Sequence, residues 1–102
     1  MSAVNVRFEN FGREVMESEK PVLMDFWAPW CGPCRMVLPI VEEIARENPD
    51  IKVVKVNVDE EHELAKQFGV MSIPSLFVVK NGQVVNKAVG ARSKQQLLAM
   101  VK

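Results

Sequence analysis

The sequence predicts an α/β fold, with a central mixed sheet of five strands flanked by four helices. Segments with strand and helix patterns alternate along the chain, which is typical of an α/β layer fold. The run Val22–Ala28 is apolar except at one position, as in a central strand covered on both faces. Asn81-Gly82 separates two apolar runs and predicts a hairpin. The predicted order is βαβαβαββα, with the first strands parallel and the last pair antiparallel.

The first elements are predicted from alternation and capping. Apolar and polar residues alternate from Val4 to Phe8, which predicts a first strand. Asn10 is of a type that caps helices, and the short helix after it would turn Val15 and Met16 inward. The run Val22–Ala28 then forms the second strand.

Two further helices carry clear sequence signals. The segment from about Cys34 to Glu47 has apolar residues at helical spacing and ends before an Asn-Pro pair. Within it, Glu42 and Arg46 have the spacing of a favourable i,i+4 ion pair. Ser93 and Gln96 form the pattern of a capping box, so the last helix is expected to begin there.

The remaining elements lie between these two helices. Ile51–Val58 is predicted to be the third strand, and Asp59 is expected to cap a helix that ends at Gly69. Leu76–Val79 and Val84–Val89 are predicted to be the two strands of the hairpin.

Length and charge limit the function classes. The chain has 102 residues, which suits a single domain over residues 1–102. Its 13 Lys and Arg residues balance 13 Asp and Glu residues, so no basic surface for nucleic acid or anionic membranes is expected. The N-terminal segment lacks the apolar stretch of a signal peptide, and no run reaches transmembrane length. We therefore expect a cytoplasmic monomer whose partners are proteins.

The most informative motif is Cys31-Gly32-Pro33-Cys34, which contains both cysteines of the chain. A cysteine pair at the start of a helix lies near unpaired N–H groups and the positive end of the helix dipole, which favours the thiolate. A redox-active dithiol is thus the leading hypothesis. Zinc binding is one alternative, although His62 is the single histidine available as a further ligand. Two inert buried cysteines are the other alternative.

Asp25 is the second informative residue, because it lies in the middle of the apolar run. A buried carboxylate is costly unless it is paired or functional, and burial should raise its pKa. A functional role is favoured because perturbed carboxylates near a nucleophile are often catalytic. The alternative is a structural ion pair with Lys55 in the third strand.

These motifs resemble the thioredoxin family over essentially the whole chain. The resemblance rests on the combination of several segments and not on one short motif. The matching residues are Asp25-Phe26-Trp27-Ala28, Trp30-Cys31-Gly32-Pro33-Cys34, Pro39, Lys55, Ile73-Pro74, Gly82 and Gly90. The resemblance implies a thioredoxin fold and a general protein disulfide reductase that needs no cofactor beyond its cysteine pair.

The resemblance also implies roles for the central residues. Cys31 would attack the substrate disulfide, which agrees with its exposed position at the start of the helix. Cys34, one turn further in and more buried, would resolve the mixed disulfide. Asp25 would accept the proton of Cys34 through a water molecule. Lys55 is placed with these three residues in the catalytic group.

A substrate-binding surface around Cys31 is implied as well. The family places a cis peptide bond at Ile73-Pro74, facing the cysteines, so that the Ile73 backbone can pair with an extended substrate segment. The expected surface consists of Trp30, Gly32, Pro33, Ile73, Pro74, Val89, Gly90 and Ala91. Ser75, where threonine is usual, and Met71-Ser72 depart from the common pattern beside this surface.

The implied partners are disulfide-containing proteins and a thioredoxin reductase that recharges the pair. An oxidase or isomerase on the same fold is a second possibility, which the Gly-Pro pair between the cysteines and the buried Asp25 disfavour. A third is a binding module in which the fold is a rigid subunit and the redox chemistry is secondary.

Overall fold

The computed structural model describes residues 2–102, which form one five-stranded sheet with helices on both faces. The strands are β1 (Val4–Asn5), β2 (Val22–Trp27), β3 (Lys52–Asn57), β4 (Ser75–Lys80) and β5 (Gln83–Val89). The α-helices are α1 (Phe8–Phe11), α2 (Gly32–Glu47), α3 (His62–Gln67) and α4 (Lys94–Val101). A π-helical turn at Gly12–Met16 continues α1. The predicted order of five strands and four helices is confirmed.

The sheet has the strand order β1-β3-β2-β4-β5, with β2 at its centre. Strand β3 runs parallel to β1 and β2, while β4 is antiparallel to β2 and to β5. The turn between β4 and β5 consists of Asn81 and Gly82, which have φ angles of 52° and 75°. Positive φ at both turn positions matches the twist of the flanking strands. The predicted hairpin is therefore confirmed.

Two apolar cores cover the two faces of the sheet, and alternate residues of the central strand point into each. The first core, which packs α2 and α4 on the sheet, contains Leu23, Val37, Val41, Ile44, Ala45, Ile51, Val53, Leu76, Val78, Leu97 and Val101. The second core, on the opposite face with α3, contains Val6, Val15, Val22, Met24, Phe26, Val54, Val56, Leu64, Phe77 and Val79. Strand β2 is buried on both sides, as its nearly continuous apolar sequence indicates.

The prediction for the N-terminal segment is wrong in three places. Phe8 does not continue the first strand but begins α1, and it is 64% exposed. Its backbone N–H donates to Oε1 of Glu61 at 2.7 Å, so a distant side chain satisfies the start of the helix. Asn10 lies inside α1 and its Oδ1 accepts a hydrogen bond from the backbone N–H of Arg7. Met16, expected to point inward, is exposed.

Candidate active site

The cysteine pair forms a disulfide at the N-terminus of α2. Cys31 is the N-cap residue, with extended backbone angles, and Gly32-Pro33 begins the helix. Proline fits this first turn because its missing N–H would have no helical partner there. The backbone N–H of Cys34 points to Sγ of Cys31 at 3.2 Å, and the two Cα atoms are 5.3 Å apart. The helix start thus presents the backbone N–H of Cys34 to the Cys31 sulfur.

The two cysteines differ in exposure by less than the sequence suggested. Cys31 is 5% exposed and Cys34 is fully buried. Cys31 is the more accessible of the two, as expected, but its side chain is largely buried and does not project from the surface. Both pack with Ala28, and the partly buried side chains of Trp27 and Ile73 cover the same cluster. A partner must therefore approach closely to reach Cys31.

The loop before β4 lies directly against the disulfide. Its Ile73-Pro74 peptide bond is cis, and the carbonyl oxygen of Ile73 lies 3.7 Å from Sγ of Cys31. The buried Ser75 hydroxyl donates to the carbonyl oxygen of Ser72 at 2.5 Å and closes the loop on itself. The backbone N–H of Gly90 donates to the carbonyl oxygen of Pro74 at 2.8 Å. These bonds hold the Ile73 backbone beside the cysteines.

Trp30 is the large exposed side chain next to the disulfide, with 67% of its surface accessible. Its indole Nε1–H donates to Asp59, at 2.9 Å from one carboxyl oxygen and 3.2 Å from the other. The prediction that Asp59 caps the third helix is wrong, because α3 begins at His62 with Glu61 as its N-cap residue. The Asp59 carboxylate is used for orienting Trp30 instead.

The C-terminal end of β5 completes the rim of this region. Val89 pairs with Ser75 across the sheet and is 47% exposed. Gly90 follows it with a φ angle of 95°, a left-handed conformation that favours glycine. Ala91, Gly32 and Pro33 are exposed as well. The residues expected to form the substrate surface therefore lie on segments that meet around Cys31.

Asp25 is fully buried at the centre of β2. Neither of its carboxyl oxygens has a hydrogen-bond partner among residues 2–102, and the buried Nε1–H of Trp27 also has none there. Burial raises the pKa of Asp25 from 3.8 to about 7, and the nearby charge of Lys55 partly opposes this rise. The carboxyl group can therefore gain or lose a proton near neutral pH.

Lys55 lies beside Asp25 on β3 but binds a different carboxylate. Its Nζ is 2.9 Å from Oε2 of Glu42 on α2, while Oε1 of Glu42 accepts the backbone N–H of Ala3. These bonds lower the pKa of Glu42 against the effect of its partial burial. The structural pair between Asp25 and Lys55 is not formed, and the expected Glu42–Arg46 ion pair is not formed either among the described residues.

The structure offers these residues no metal centre. His62 is exposed on α3, and the cysteines bond to each other. Within residues 2–102, no group of three or more His, Cys, Asp and Glu side chains is arranged to hold a metal ion. Over the same residues, no helix has the length and apolar character needed to cross a membrane.

Three partners in this region were not found by sequence reasoning: Glu42 for Lys55, Asp59 for Trp30 and the Ser75 hydroxyl for its own loop. Each is a common surface or turn residue whose role depends on a neighbour distant in sequence or on the loop conformation. The sequence signals at Glu42 and Asp59 pointed to local roles.

A disulfide at a helix N-terminus, with the carbonyl oxygen of Ile73 facing it, is typical of proteins that carry out thiol–disulfide exchange. Comparisons with known proteins agree. The family model described as "Thioredoxin" matches residues 2–102. "Thioredoxin 1" of Nostoc sp. is 54% identical over 97 residues, which are 94% of this chain and 91% of the relative. "Thioredoxin" of Bacillus subtilis is 48% identical over 102 residues, 99% of this chain and 96% of the relative.

The chain belongs to the thioredoxin family. It is a thiol–disulfide oxidoreductase that reduces protein disulfides, and its redox-active group is the cysteine pair at the start of α2. The fold is the thioredoxin fold that the sequence predicted.

Proposed function

We propose that Cys31 is the attacking cysteine and Cys34 the resolving one. In the reduced protein the Cys31 thiolate attacks one sulfur of the substrate disulfide, forming a mixed disulfide, and the other substrate sulfur leaves as a thiolate that takes a proton from solvent. Cys34 then attacks Sγ of Cys31 and releases the second substrate sulfur. The substrate gains two electrons and two protons, and the cysteine pair becomes a disulfide.

The observation that carries this assignment is the position of Cys31 as N-cap residue of α2. The backbone nitrogen of Cys34 is 3.2 Å from the sulfur of Cys31, and the positive end of the helix dipole favours the thiolate of Cys31. Cys31 is also the more accessible cysteine. Cys34, fully buried behind it, is reached by the sulfur of Cys31 and not by a substrate.

Asp25 is proposed to accept the proton of Cys34. Leu23, two residues earlier on the same face of β2, packs in the core with Val37 and Val41 of α2. Asp25 lies further along the strand, towards the loop that leads to Cys34, and faces the same helix. We propose that a water molecule links the two side chains, because the Asp25 carboxyl oxygens have no protein partner and buried polar atoms of this kind commonly bind water. Lys55 is proposed to act on Asp25 as a positioning residue, through its charge.

Substrates are proposed to dock as extended segments on the surface around Cys31. The Ile73 backbone, fixed beside the disulfide, offers hydrogen-bonding groups that pair with any sequence. Trp30, Gly32 and Pro33 would lie on one side of the substrate segment. Pro74, Val89, Gly90 and Ala91 would lie on the other. Backbone pairing with few side-chain requirements supports a broad range of protein substrates.

The remaining assignments are supported by family membership. We propose that residues 1–102 act as one domain and as a monomer in the cytoplasm. A thioredoxin reductase would return the pair to its dithiol form. The balanced charge of the chain supports partners that are neither nucleic acids nor membranes.

Trapping experiments with single-cysteine variants test the roles of the cysteines. The reduced Cys34→Ser variant is mixed with insulin, whose disulfides serve as substrate, and covalent complexes are measured by mass spectrometry after acid quenching. The mixed disulfide should accumulate with Cys34→Ser, which can attack but not resolve. The matched Cys31→Ser variant should form far less. Equal or greater accumulation with Cys31→Ser would assign the attack to Cys34.

A further inference from the structure

Met71 is the most exposed large apolar side chain among the described residues. Its surface is 96% accessible, compared with 68% for Met36 and 45% for Met16, while Met24 is fully buried. A thioether at such a position meets dissolved oxidants without opening of the fold. Solvent access is a main factor in methionine oxidation. Met71 is therefore expected to react first among the methionines that the structure describes.

The position of Met71 connects it with the substrate surface. It precedes Ser72 and the cis Ile73-Pro74 pair, whose carbonyl oxygen at Ile73 faces the disulfide. Beside Trp30 there is a shallow groove of about 140 Å³. Its lining residues are Trp30, Val58, Ala65, Val70, Met71, Ser72 and Ile73. An extended segment paired with Ile73 would pass over the Met71 side chain.

We propose that Met71 is an oxidation site at which a hydroperoxide weakens the docking of protein substrates, an inference that rests on the docking surface proposed above. In the reaction, an oxygen atom passes from the peroxide to the Met71 sulfur. The O–O bond breaks and an S–O bond forms. The sulfur is oxidised by two electrons, and the peroxide is reduced to water or to an alcohol.

The disulfide state of the protein is the state in which this reaction matters. With Cys31 and Cys34 bonded to each other, no thiolate is present to consume the peroxide. Met71 then offers the most accessible sulfur among residues 2–102. An oxidant that has already converted the cysteine pair to its disulfide would thus also oxidise Met71, beside the proposed docking surface.

The consequence follows from the polarity of the sulfoxide. Oxidation converts a flexible apolar side chain into a polar one, and here it does so at the edge of an apolar groove. Substrates that must fill this groove lose contact, while a small disulfide that touches little more than Cys31 does not. Oxidised Met71 should therefore reduce kcat/KM for proteins selectively.

Controlled oxidation of the disulfide form tests the site. The protein is treated with hydrogen peroxide, the peroxide is removed with catalase, and sulfoxide at each methionine is quantified by peptide mass spectrometry over time. Dithiothreitol is then used to reduce the cysteine pair. This reductant is chosen because it does not restore methionine sulfoxide under these conditions. The rate of reduction is measured with insulin and with 5,5′-dithiobis(2-nitrobenzoate), a small disulfide.

Each variant is compared with its own untreated form. Oxidation should lower kcat/KM for insulin by about threefold or more in the wild type and in Met36→Leu, the effect of a lost apolar contact. In Met71→Leu, the kcat/KM for insulin should be nearly the same before and after oxidation. The kcat/KM for the small disulfide should be nearly unchanged by oxidation in every variant. The untreated Met71→Gln variant, with a polar side chain of similar length, should be slower on insulin than untreated Met71→Leu.

Several results would overturn the inference. They are oxidation of Met36 or Met16 ahead of Met71, an unchanged insulin rate after full oxidation of Met71, and an equal loss in Met71→Leu. Failure of the proposed docking surface is distinguished by the untreated proteins, because Trp30→Ala would then reduce insulin as fast as the wild type. The sulfoxide at Met71 could still be detected in that case, but without a kinetic effect.

Discussion

Asp25 and Lys55 are direct neighbours on strands β2 and β3, yet the Lys55 ammonium binds Glu42 and leaves both Asp25 carboxyl oxygens without a protein partner. The arrangement gives Asp25 a nearby positive charge but no hydrogen bond. Desolvation therefore dominates, and the pKa of Asp25 lies at about 7 and not near 3.8. Such a carboxyl group is costly for stability and useful for proton transfer.

The cost predicts a pH-dependent stabilisation by Asp25→Asn. Between about pH 4 and 7 the unfolded chain has ionised Asp25 while the folded chain keeps it protonated, so stability falls as pH rises and levels off above pH 7. The stability of Asp25→Asn relative to wild type should thus increase by up to about 4 kcal/mol from pH 4 to pH 8. Urea unfolding at both pH values measures this difference.

The matched control is Asp50→Asn, at an exposed aspartate in the loop after α2. It should show little change in relative stability over the same pH range. The amide introduced by Asp25→Asn also lacks hydrogen-bond partners, which changes the stability at every pH. The change in relative stability with pH is therefore the quantity that tests the burial of an ionisable group. A relative stability of Asp25→Asn that is independent of pH would contradict burial of an ionisable group there.

The Lys55–Glu42 pair predicts opposite effects of two neutralising variants on Asp25. Lys55→Met removes the positive charge that holds the pKa of Asp25 down, so this pKa should rise above 7. Glu42→Gln removes the partner of Lys55 and should lower the pKa of Asp25, because the ammonium is then free to turn towards it. Carbon-13 NMR titration of the Asp25 carboxyl carbon measures both. Shifts in the same direction would contradict this account.

The hydrogen bond between Trp30 and Asp59 predicts a loss of orientation in Asp59→Ala. The indole proton of Trp30 should exchange faster with solvent. The kcat/KM for a protein substrate should fall by roughly threefold, because the side chain proposed to contact the substrate is less ordered. Proton-exchange NMR and insulin reduction are the measurements. Glu60→Ala removes the same charge from the next residue and should leave both properties close to wild type.

The capping box at α4 predicts a modest loss of stability in Ser93→Ala. The Ser93 hydroxyl accepts the N–H of Gln96, and the Gln96 side chain accepts the N–H of Ser93. Loss of the hydroxyl should cost about 1 kcal/mol. Thermal unfolding can detect this change, and Gln95→Ala, in the same turn but outside the box, should be nearly neutral. Equal losses of stability in the two variants would contradict a specific contribution of the capping box.

Much of the fold could be predicted because its signals are local. The apolar run of β2, the Asn81-Gly82 turn and the Ser93 cap each determine structure through their own neighbours. The failures occurred where a distant partner decides. Phe8 begins a helix because Glu61 accepts its N–H. Asp59 does not cap a helix but accepts a hydrogen bond from the indole of Trp30. Local propensity cannot anticipate contacts of this kind.

The site was predictable to a similar degree. The cysteine pair and the isolated carboxylate of Asp25 stand out in the sequence because their chemistry conflicts with their surroundings. The partner of Lys55 does not stand out, since Glu42 has an equally suitable neighbour in Arg46 on its own helix. Only the packing of α2 over β3 brings Glu42 to Lys55. The exposure of Met71 likewise depends on the path of the loop before β4.

The function of the protein depends on the reducing power of the Cys31–Cys34 dithiol toward protein disulfides. The equilibrium between the dithiol and the disulfide in glutathione buffers, followed by Trp27 and Trp30 fluorescence with Cys31→Ser as control, tests it most directly. We expect the pair to stay oxidised until nearly all the glutathione is in its reduced form. Easy reduction of the pair by glutathione would contradict it and would indicate an oxidase or isomerase.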